Sequence, residues 1–467
     1  MSCSYGQRGS LTAICTNATS DFFKLTTYRF DYLDETLLCL NCDLNFLEAS
    51  TFDIPGNEIK TLDIRNSSIT FIWPKAFIGM IHMERLLLSN NPIEKIPTGA
   101  FEGIRKVRYL EMRNSTTNLE PRVFKELHLL EVLDLRGSQL LMVRPKTFEG
   151  LHNLKLLDLS HNKLVLGNTS DIFEPLVNLR ILLLNDNFIF RLQGQDFRML
   201  RSLTTLNLAR NAMTNFSIDL EPQNRLRTLN LSQNYLSSAS FLPGAFENLT
   251  NLEDLDLSRN SFDNITLKLF QGLSKLTVLN LGDNRLRGIN TGHFSGLPHL
   301  RILNVSNNKI DSLKITGRLQ MHSLVQMDLS NNNIQNFDYL SLITRAPRLR
   351  FINLLNNSLS CIMEDQLRAL FLQDHVVVLV SNGKDRDCPK VTTESSQELL
   401  DELKEQLQDP YVNSTLLVWM FVLITIVMLL IGVLFYVQFF ILLGMGGQAY
   451  RNIRLLKNVG STDVSEF

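Results

Sequence analysis

One feature constrains this chain more than any other: a leucine pattern that returns about every two dozen residues. Residues 154–164 read LKLLDLSHNKL, which is the pattern L-x-x-L-x-L-x-x-N-x-L, and residues 252–262 and 276–286 repeat it. Alignment on the asparagine position gives fourteen copies with spacings of 23 to 26 residues. The fourteen positions are Cys42, Ser67, Asn91, Ser115, Ser138, Asn162, Asn187, Asn211, Asn234, Asn260, Asn284, Asn308, Asn332 and Asn357. A period of this length indicates one small structural unit per copy, stacked into a single array.

The pattern also predicts the structure of each unit. Leucines two positions apart on a strand point the same way, and one copy alone cannot bury them. Asn, Ser or Cys at the asparagine position can bond backbone groups left unpaired where the strand bends. These motifs resemble the leucine-rich repeat family in its typical subclass. The resemblance implies an α/β-type solenoid of about 14 repeats, with a curved parallel sheet on its concave side.

A second set of positions carries phenylalanine three residues before a leucine or similar residue. The set is Phe77, Phe101, Phe124, Phe148, Phe173, Phe197, Phe246, Phe270 and Phe294. We expect these rings to form a buried aromatic spine on the convex side of the array. The repeats spanning Leu220 to Leu226, Leu313 to Leu324 and Phe337 to Leu349 lack this phenylalanine.

Four of the six cysteines lie near the start of the chain. Residues 1–32 are predicted to cap the array, with a disulfide between Cys3 and Cys15. Cys39 falls at an inward strand position and Cys42 at the asparagine position, so the repeat predicts two buried thiols. Pairing of these two with Cys3 and Cys15 is the alternative, since four cysteines allow three connectivities. A zinc or redox motif at Cys39 and Cys42 is less favoured, because the repeat already explains both positions.

After the repeat array of residues 33–360, Cys361 and Cys388 flank a segment of residues 361–390. It resembles a reduced form of the family's C-terminal cap, with a short helix expected over residues 366–372. The resemblance implies a disulfide between Cys361 and Cys388.

The last part of the chain changes in composition. Residues 391–414 are predicted to form an acidic helical stalk. Residues 415–443 are an apolar run long enough for a single transmembrane helix, and residues 444–467 are a predicted cytoplasmic tail. Positive charge follows the apolar run, at Arg451, Arg454 and Lys457. This asymmetry predicts that the tail is cytoplasmic and the repeats are extracellular.

The location of the repeats has two possible interpretations. No signal peptide is visible, because Met1 is followed by neither a basic nor an apolar segment. A tail-anchored cytosolic protein would explain this; an incomplete N-terminus of a plasma-membrane protein is the favoured alternative. Glycosylation sequons support the second interpretation. They lie at Asn17, Asn66, Asn114, Asn168, Asn215, Asn230, Asn248, Asn264, Asn304, Asn356 and Asn413.

Composition and motifs exclude several kinds of function. A net charge of −1, from 46 basic and 47 acidic residues, gives no reason to expect nucleic-acid binding. No catalytic or phosphate-binding motif is present, so we expect neither an enzyme nor a cofactor.

Strand residues between the inward leucines should face the concave surface. One such column is mostly polar and acidic: it runs Asp63, Leu87, Glu111, Asp134, Asp158, Leu183, Asn207, Asn230, Asp256, Asn280, Asn304, Asp328 and Asn353. An ordinary solvated sheet surface is the simplest interpretation. Interface residues are often Tyr and Arg, however, and the early repeats concentrate them. The candidate ligand-binding residues are Arg65, Arg85, an exposed Leu87, Arg108, Tyr109, Glu111, Arg113 and Arg136. Predicted glycans at Asn230 and Asn304 would hinder the middle of the array.

The architecture of residues 33–467 loosely resembles insect transmembrane leucine-rich immune proteins and Toll-like ectodomains. The resemblance implies a cell-surface receptor or co-receptor for a protein ligand or partner receptor, with a role in innate immunity. No TIR-like domain follows, so a complete Toll-type receptor is not expected. An adhesion protein that pairs with itself or with another chain is the alternative, and the stalk is a candidate dimer seam.

Overall fold

The computed structural model describes residues 2–5, 11–24, 34–115, 118–166, 172–192, 197–218, 220–221, 224–315 and 321–380. They all belong to the first of two structural units, Met1–Gly6 with Leu11–Pro389. The strands are β1 Ser2–Tyr5, β2 Thr12–Thr16, β3 Thr36–Leu40, β4 Phe46–Leu47, β5 Thr61–Asp63, β6 Phe71–Ile72, β7 Arg85–Leu87, β8 Tyr109–Glu111, β9 Val132–Asp134, β10 Leu156–Asp158, β11 Ile181–Leu183, β12 Thr205–Asn207, β13 Thr228–Asn230, β14 Asp254–Asp256, β15 Val278–Asn280, β16 Gly288–Asn290, β17 Ile302–Asn304, β18 Ser312–Lys314, β19 Gln326–Asp328, β20 Phe351–Asn353 and β21 Val377–Leu379. The α-helices are α1 Ser20–Lys24, α2 Tyr339–Arg345 and α3 Cys361–Gln373, and 3-10 turns lie at Ser238–Ser240 and Thr291–Phe294.

The strand of each repeat joins one long parallel sheet, and equivalent residues pair in register. In β10, for example, Leu157 pairs with Leu133 of β9 and Leu182 of β11. These central leucines are fully buried, whereas their strand neighbours are only partly covered. The leucine pattern therefore sets both the register and the buried face of the sheet, as the sequence predicts.

In the ten repeats that have asparagine at this position, its side chain closes the turn after the strand. Asn187 is a representative case: its amide donates to the carbonyls of Leu159 and Leu184, at 2.9 and 3.0 Å. Its side-chain oxygen accepts the backbone N–H of Leu164 at 2.9 Å. The residue before each asparagine position has a positive φ, such as 56° at Asp186. The predicted ladder of side-chain bonds between repeats is thus confirmed.

The predicted aromatic spine is confirmed as a buried stack of rings in the repeats that carry the phenylalanine. The rings of Phe101, Phe124 and Phe148 are fully buried and stack with centroids 5.7 and 6.3 Å apart. The stack is interrupted between Phe197 and Phe246, where the sequence lacks the aromatic residue.

The two ends of the sheet are covered differently. At the N-terminal end, β1 pairs antiparallel with β2, and a disulfide joins Cys3 to Cys15. At the other end, α3 is longer than the helix expected over residues 366–372 because it begins at Cys361. There the hydroxyl oxygen of Ser360 accepts the backbone N–H of Met363 at 3.3 Å. Cys388 lies outside the described residues, so the disulfide between Cys361 and Cys388 stays a prediction.

The expectation for Cys39 and Cys42 was wrong. They are not free thiols but form a disulfide with each other, and neither pairs with Cys3 or Cys15. The turn between them explains the pairing: Asn41 has a φ of 52°, and the two Cα atoms lie 5.8 Å apart. This separation is within the usual disulfide range of about 4.4–6.8 Å.

Within the described residues, none of the helices is both long enough and apolar enough to cross a bilayer. The predicted stalk, transmembrane helix and tail, residues 391–414, 415–443 and 444–467, lie outside the described residues.

Candidate ligand-binding face

The outward side chains of the strands form a surface that we call the sheet face. Its column of thirteen mostly polar positions contains ten Asp or Asn residues, and each of these ten has the same local function. Its side-chain oxygen accepts the backbone N–H two residues later, at 2.8 to 3.3 Å. Asp256, for example, accepts the N–H of Ser258 at 2.8 Å. Most of this column is therefore explained by the backbone at the strand ends.

Three residues of the column, Leu87, Glu111 and Leu183, depart from this pattern. At Glu111 the local bond is replaced by a bridge between repeats. The N–H of Arg113 donates to the hydroxyl of Ser89 at 2.9 Å, and that hydroxyl donates to the Glu111 carboxylate at 2.7 Å. One oxygen of the Glu111 carboxylate is thus held by Ser89 of the neighbouring repeat, and the other oxygen can accept a further hydrogen bond.

The donor of that further bond is Tyr109, in the same strand. Its phenol donates to the second carboxylate oxygen of Glu111 at 3.0 Å. Burial, reinforced by the charge of Glu111, raises the pKa of Tyr109 to about 12, so the phenol keeps its proton at neutral pH. The guanidinium of Arg85 lies over the tyrosine ring, 4.4 Å from its centroid. This cation–π contact presents the exposed Arg85 in a fixed position.

Three further arginines surround this group. Arg113 donates to Asp134 at 2.6 Å, and Arg65 donates to Asp63 at 2.6 and 2.8 Å. Burial raises the pKa of Asp134, although the Arg113 guanidinium opposes the shift. Arg136 lies 3.3 Å from the imidazole of His161. We call Arg65, Arg85, Tyr109, Glu111, Arg113 and Arg136 the arginine–tyrosine patch.

One predicted binding residue, Leu87, is placed differently from the prediction, and Arg108 lies beside the patch. Leu87 is not exposed: 9% of its surface remains accessible, because it lies between Asp63 and Glu111 of the adjacent strands. Arg108 precedes the strand and pairs with Glu131 at 2.6 Å, at the edge of the patch. Ser89 is not among the binding residues that the sequence predicts. Its one sequence signal is its position two residues after Leu87, which is equivalent to Arg65 and Arg113 in the neighbouring repeats.

A polar groove of about 540 Å³ lies farther along the sheet face. Its walls include the amides of Asn207 and Asn230, the carboxylate of Asp256 and the guanidinium of Arg210. The predicted glycosylation residues Asn230 and Asn304 both line this groove. A glycan at either residue would occupy this part of the sheet face.

The other predicted glycosylation residues are distributed differently. Seven of them are exposed and lie off the groove. They are Asn17, Asn66, Asn114, Asn215, Asn248, Asn264 and Asn356. Asn168 and Asn413 lie outside the described residues.

Comparison with known proteins agrees with this geometry. The leucine rich repeat family profile matches residues 57–115, 112–164, 177–236, 224–286, 250–310 and 274–334, more than half of the chain. Toll-like receptor 4 of Bos taurus is 40% identical over 177 residues, which cover 36% of this chain and 21% of that protein. Human lumican is 33% identical over 227 residues, which cover 48% of this chain and 64% of lumican.

Among solved structures, the Drosophila Toll–Spatzle complex has a TM-score of 0.61 at 20% identity. The match covers 80% of this chain and 57% of the matched chain, and at this identity it shows the fold alone. The chain therefore spans less than two thirds of the length of each of these relatives. From its repeats, its fold and its family profile, the protein is a member of the leucine-rich repeat family.

Proposed function

We propose that this protein is a cell-surface receptor or co-receptor that binds an extracellular protein through the arginine–tyrosine patch. The observation that carries the proposal is the exposed Arg85 over Tyr109. Among the described residues, no carboxylate lies within ion-pairing distance of Arg85 or Arg136. Arg65 and Arg113, in contrast, already pair with Asp63 and Asp134.

The chemistry of the patch suggests the kind of ligand. Two arginines without carboxylate partners can each accept a carboxylate, and arginine does so with two parallel hydrogen bonds. The arginine above the tyrosine ring adds a rigid contact surface. Its side chain would therefore lose little further conformational entropy when a ligand binds. We infer a protein ligand that presents acidic side chains to Arg85 and Arg136. The Toll–Spatzle complex, in which a chain of this fold is assembled with another protein, is consistent with this inference.

An extracellular location is part of the proposal. It is supported by the two disulfides of the N-terminal region and by the seven exposed sequons. The proposed single span is residues 415–443. Treatment of intact cells with a glycosidase and an external protease tests both points. An unglycosylated, protected repeat region would overturn the receptor proposal.

The binding proposal is tested with a panel of purified secreted proteins, measured by surface plasmon resonance on the immobilised full-length protein. We expect at least one ligand whose affinity falls about 30-fold in the Arg85→Ser/Tyr109→Ser variant, the size of a hot-spot effect. The matched control is Arg105→Ser, an exposed arginine in the loop after Phe101 that pairs with Glu126. Ligands that respond equally to both variants would place the binding surface elsewhere.

A further inference from the structure

A second surface lies beside the sheet, on the turns that follow the asparagine positions. Six large apolar side chains are exposed there, at 43 to 65% of their surface. They are Leu141, Met142, Val165, Phe188, Phe190 and Tyr235. We call them the apolar strip. They are spread over more than ninety residues of sequence, so only the stacking of repeats brings them together.

Backbone hydrogen bonds place the turns that carry the strip side by side, as far as Tyr235, whose N–H donates to the carbonyl of Met213 at 2.9 Å. The N–H of Val165 donates to the carbonyl of Leu141 at 3.2 Å, and the N–H of Phe188 donates to the carbonyl of Leu164 at 3.0 Å. The next turn in the row contains Thr214, whose backbone N–H donates to the carbonyl of Phe190 at 3.3 Å. Together the six side chains expose on the order of 500 Å² of apolar surface. Patches of about 300–600 Å² are the largest on typical monomers and are often functional.

The described segments that carry the strip contain charges of one sign only. The segments that form this side of the five repeats contain no aspartate or glutamate; they are residues 138–147, 162–166, 187–192, 211–218 and 234–240. They do contain Arg144, Lys146, Lys163 and Arg191, all exposed. None of these four is ion-paired with a described residue: Lys163 donates to Gln139 at 3.4 Å, and Arg191 lies over the Phe190 ring.

We propose that the apolar strip binds an amphipathic helix of a partner protein, one whose apolar stripe is flanked by acidic side chains. The spacing supports a helix. Neighbouring turns joined by backbone bonds lie about 4.8 Å apart, so five repeats span roughly 19 Å. A helix of about 13 residues has that length, and its pitch of about 5.4 Å places one apolar residue over nearly every turn.

The basic rim determines which occupant fits. A second copy of this chain docked strip to strip would bring two basic rims together, and like charges oppose association. An acidic rim on the partner instead pairs with these residues, and acidic residues between leucines are common on solvent-facing helices. Charge complementarity thus favours a different protein over self-association.

The test uses the full-length protein in nanodiscs and two labelled synthetic helices of 14 residues. Both have leucines at positions i, i+3, i+4 and i+7; one carries glutamates at its other positions and the other carries lysines. Fluorescence anisotropy measures binding. We expect the acidic helix to bind at least tenfold more tightly than the basic one, and Phe188→Ser/Phe190→Ser to remove the binding.

Two further variants separate charge from apolar contact. Lys163→Glu/Arg191→Glu should reverse the preference between the two helices. Leu340→Ser, at a more exposed leucine on α2, is the control and should have no effect. The inference is overturned if the two helices bind alike, or if Leu340→Ser weakens binding as much as Phe188→Ser/Phe190→Ser. It is also overturned if sedimentation shows a dimer of this chain that Phe188→Ser/Phe190→Ser dissociates. Arg85→Ser should leave helix binding intact, which separates this surface from the proposed receptor site.

Discussion

Replacement of Asn187 by alanine tests the bonding between repeats most directly. Asn187 is 5% exposed, and its side chain bonds four backbone groups of two repeats. Its oxygen accepts the N–H of Leu164, and its two amide protons are shared among the carbonyls of Leu159, Leu184 and Asn185. The carbonyls of Leu159 and Leu184 each keep a second donor after the change, from Asn162 and Asn211. The N–H of Leu164 has no other acceptor in the described structure. The substitution thus leaves one buried donor unpaired and removes two ordinary hydrogen bonds.

The expected loss of stability follows from this inventory. An unpaired buried N–H costs about 1–3 kcal/mol, and each lost neutral hydrogen bond costs about 1 kcal/mol. We therefore expect Asn187→Ala to lower the free energy of unfolding by about 3–5 kcal/mol. Serine should cost less, about 1–2 kcal/mol, because Ser138 occupies the same position in another repeat. There its hydroxyl still donates to the carbonyl of Met112 at 2.8 Å.

Urea denaturation gives the free-energy differences, and hydrogen exchange at the Leu164 amide gives the local effect. Protection of that amide should fall more than about tenfold in Asn187→Ala, since every 1.4 kcal/mol changes the opening equilibrium tenfold. Asn333→Ala is the matched control, because Asn333 is exposed one residue after the same position. The reasoning fails if alanine and serine at position 187 cost the same, or if the Leu164 amide stays protected.

Three further outcomes are expected. Burial, with Asp256 beside it, raises the pKa of Asp254 to about 6. An aspartate whose pKa is higher in the folded chain than its unfolded value near 3.8 lowers the free energy of unfolding above pH 6. Asp254→Asn should therefore stabilise the protein by up to about 3 kcal/mol at pH 7.5, measured by urea titration. Below pH 4 this gain should vanish. Phe124→Ala should cost about 3–5 kcal/mol in the same assay, because the ring is fully buried in the spine, whereas Phe188→Ala should be near neutral. Glycopeptide mass spectrometry should find higher occupancy at the exposed Asn248 than at the half-buried Asn230; equal occupancy would show that the sheet face admits a glycan.

The sequence predicts the parts of the fold that depend on the period. The strand register, the asparagine ladder and the phenylalanine spine each follow from one residue type recurring at one position, and stacking forces such residues together. The error at Cys39 and Cys42 has a different origin. Their repeat positions predict burial correctly. The left-handed turn at Asn41 recurs in every repeat and brings the two Cα atoms within 5.8 Å, but two buried thiols and a disulfide fit the leucine pattern equally well, so the pattern does not decide between them.

The candidate sites could be predicted only in part, because exposure depends on neighbours from other repeats. Leu87 looked exposed because its column faces outward, yet Asp63 and Glu111 flank it. The apolar strip was not foreseen for the opposite reason. Each member, such as Phe188 or Tyr235, is a single apolar residue in a polar turn, and its continuity appears only when five turns are stacked.

The regularity of the Asp and Asn column helps to distinguish side chains that the backbone explains from side chains that are candidates for ligand binding. Where a carboxylate or amide already accepts the N–H two residues later, its presence is explained by the backbone, and a ligand need not be invoked. Glu111 is the informative exception. Its longer side chain gives up that local bond, a serine of the preceding repeat satisfies the N–H of Arg113, and the carboxylate is left to hold Tyr109 beneath Arg85. Glu111 does not make the local backbone bond and contacts a neighbouring repeat instead. At such a position, selection for binding is most readily separated from selection for folding.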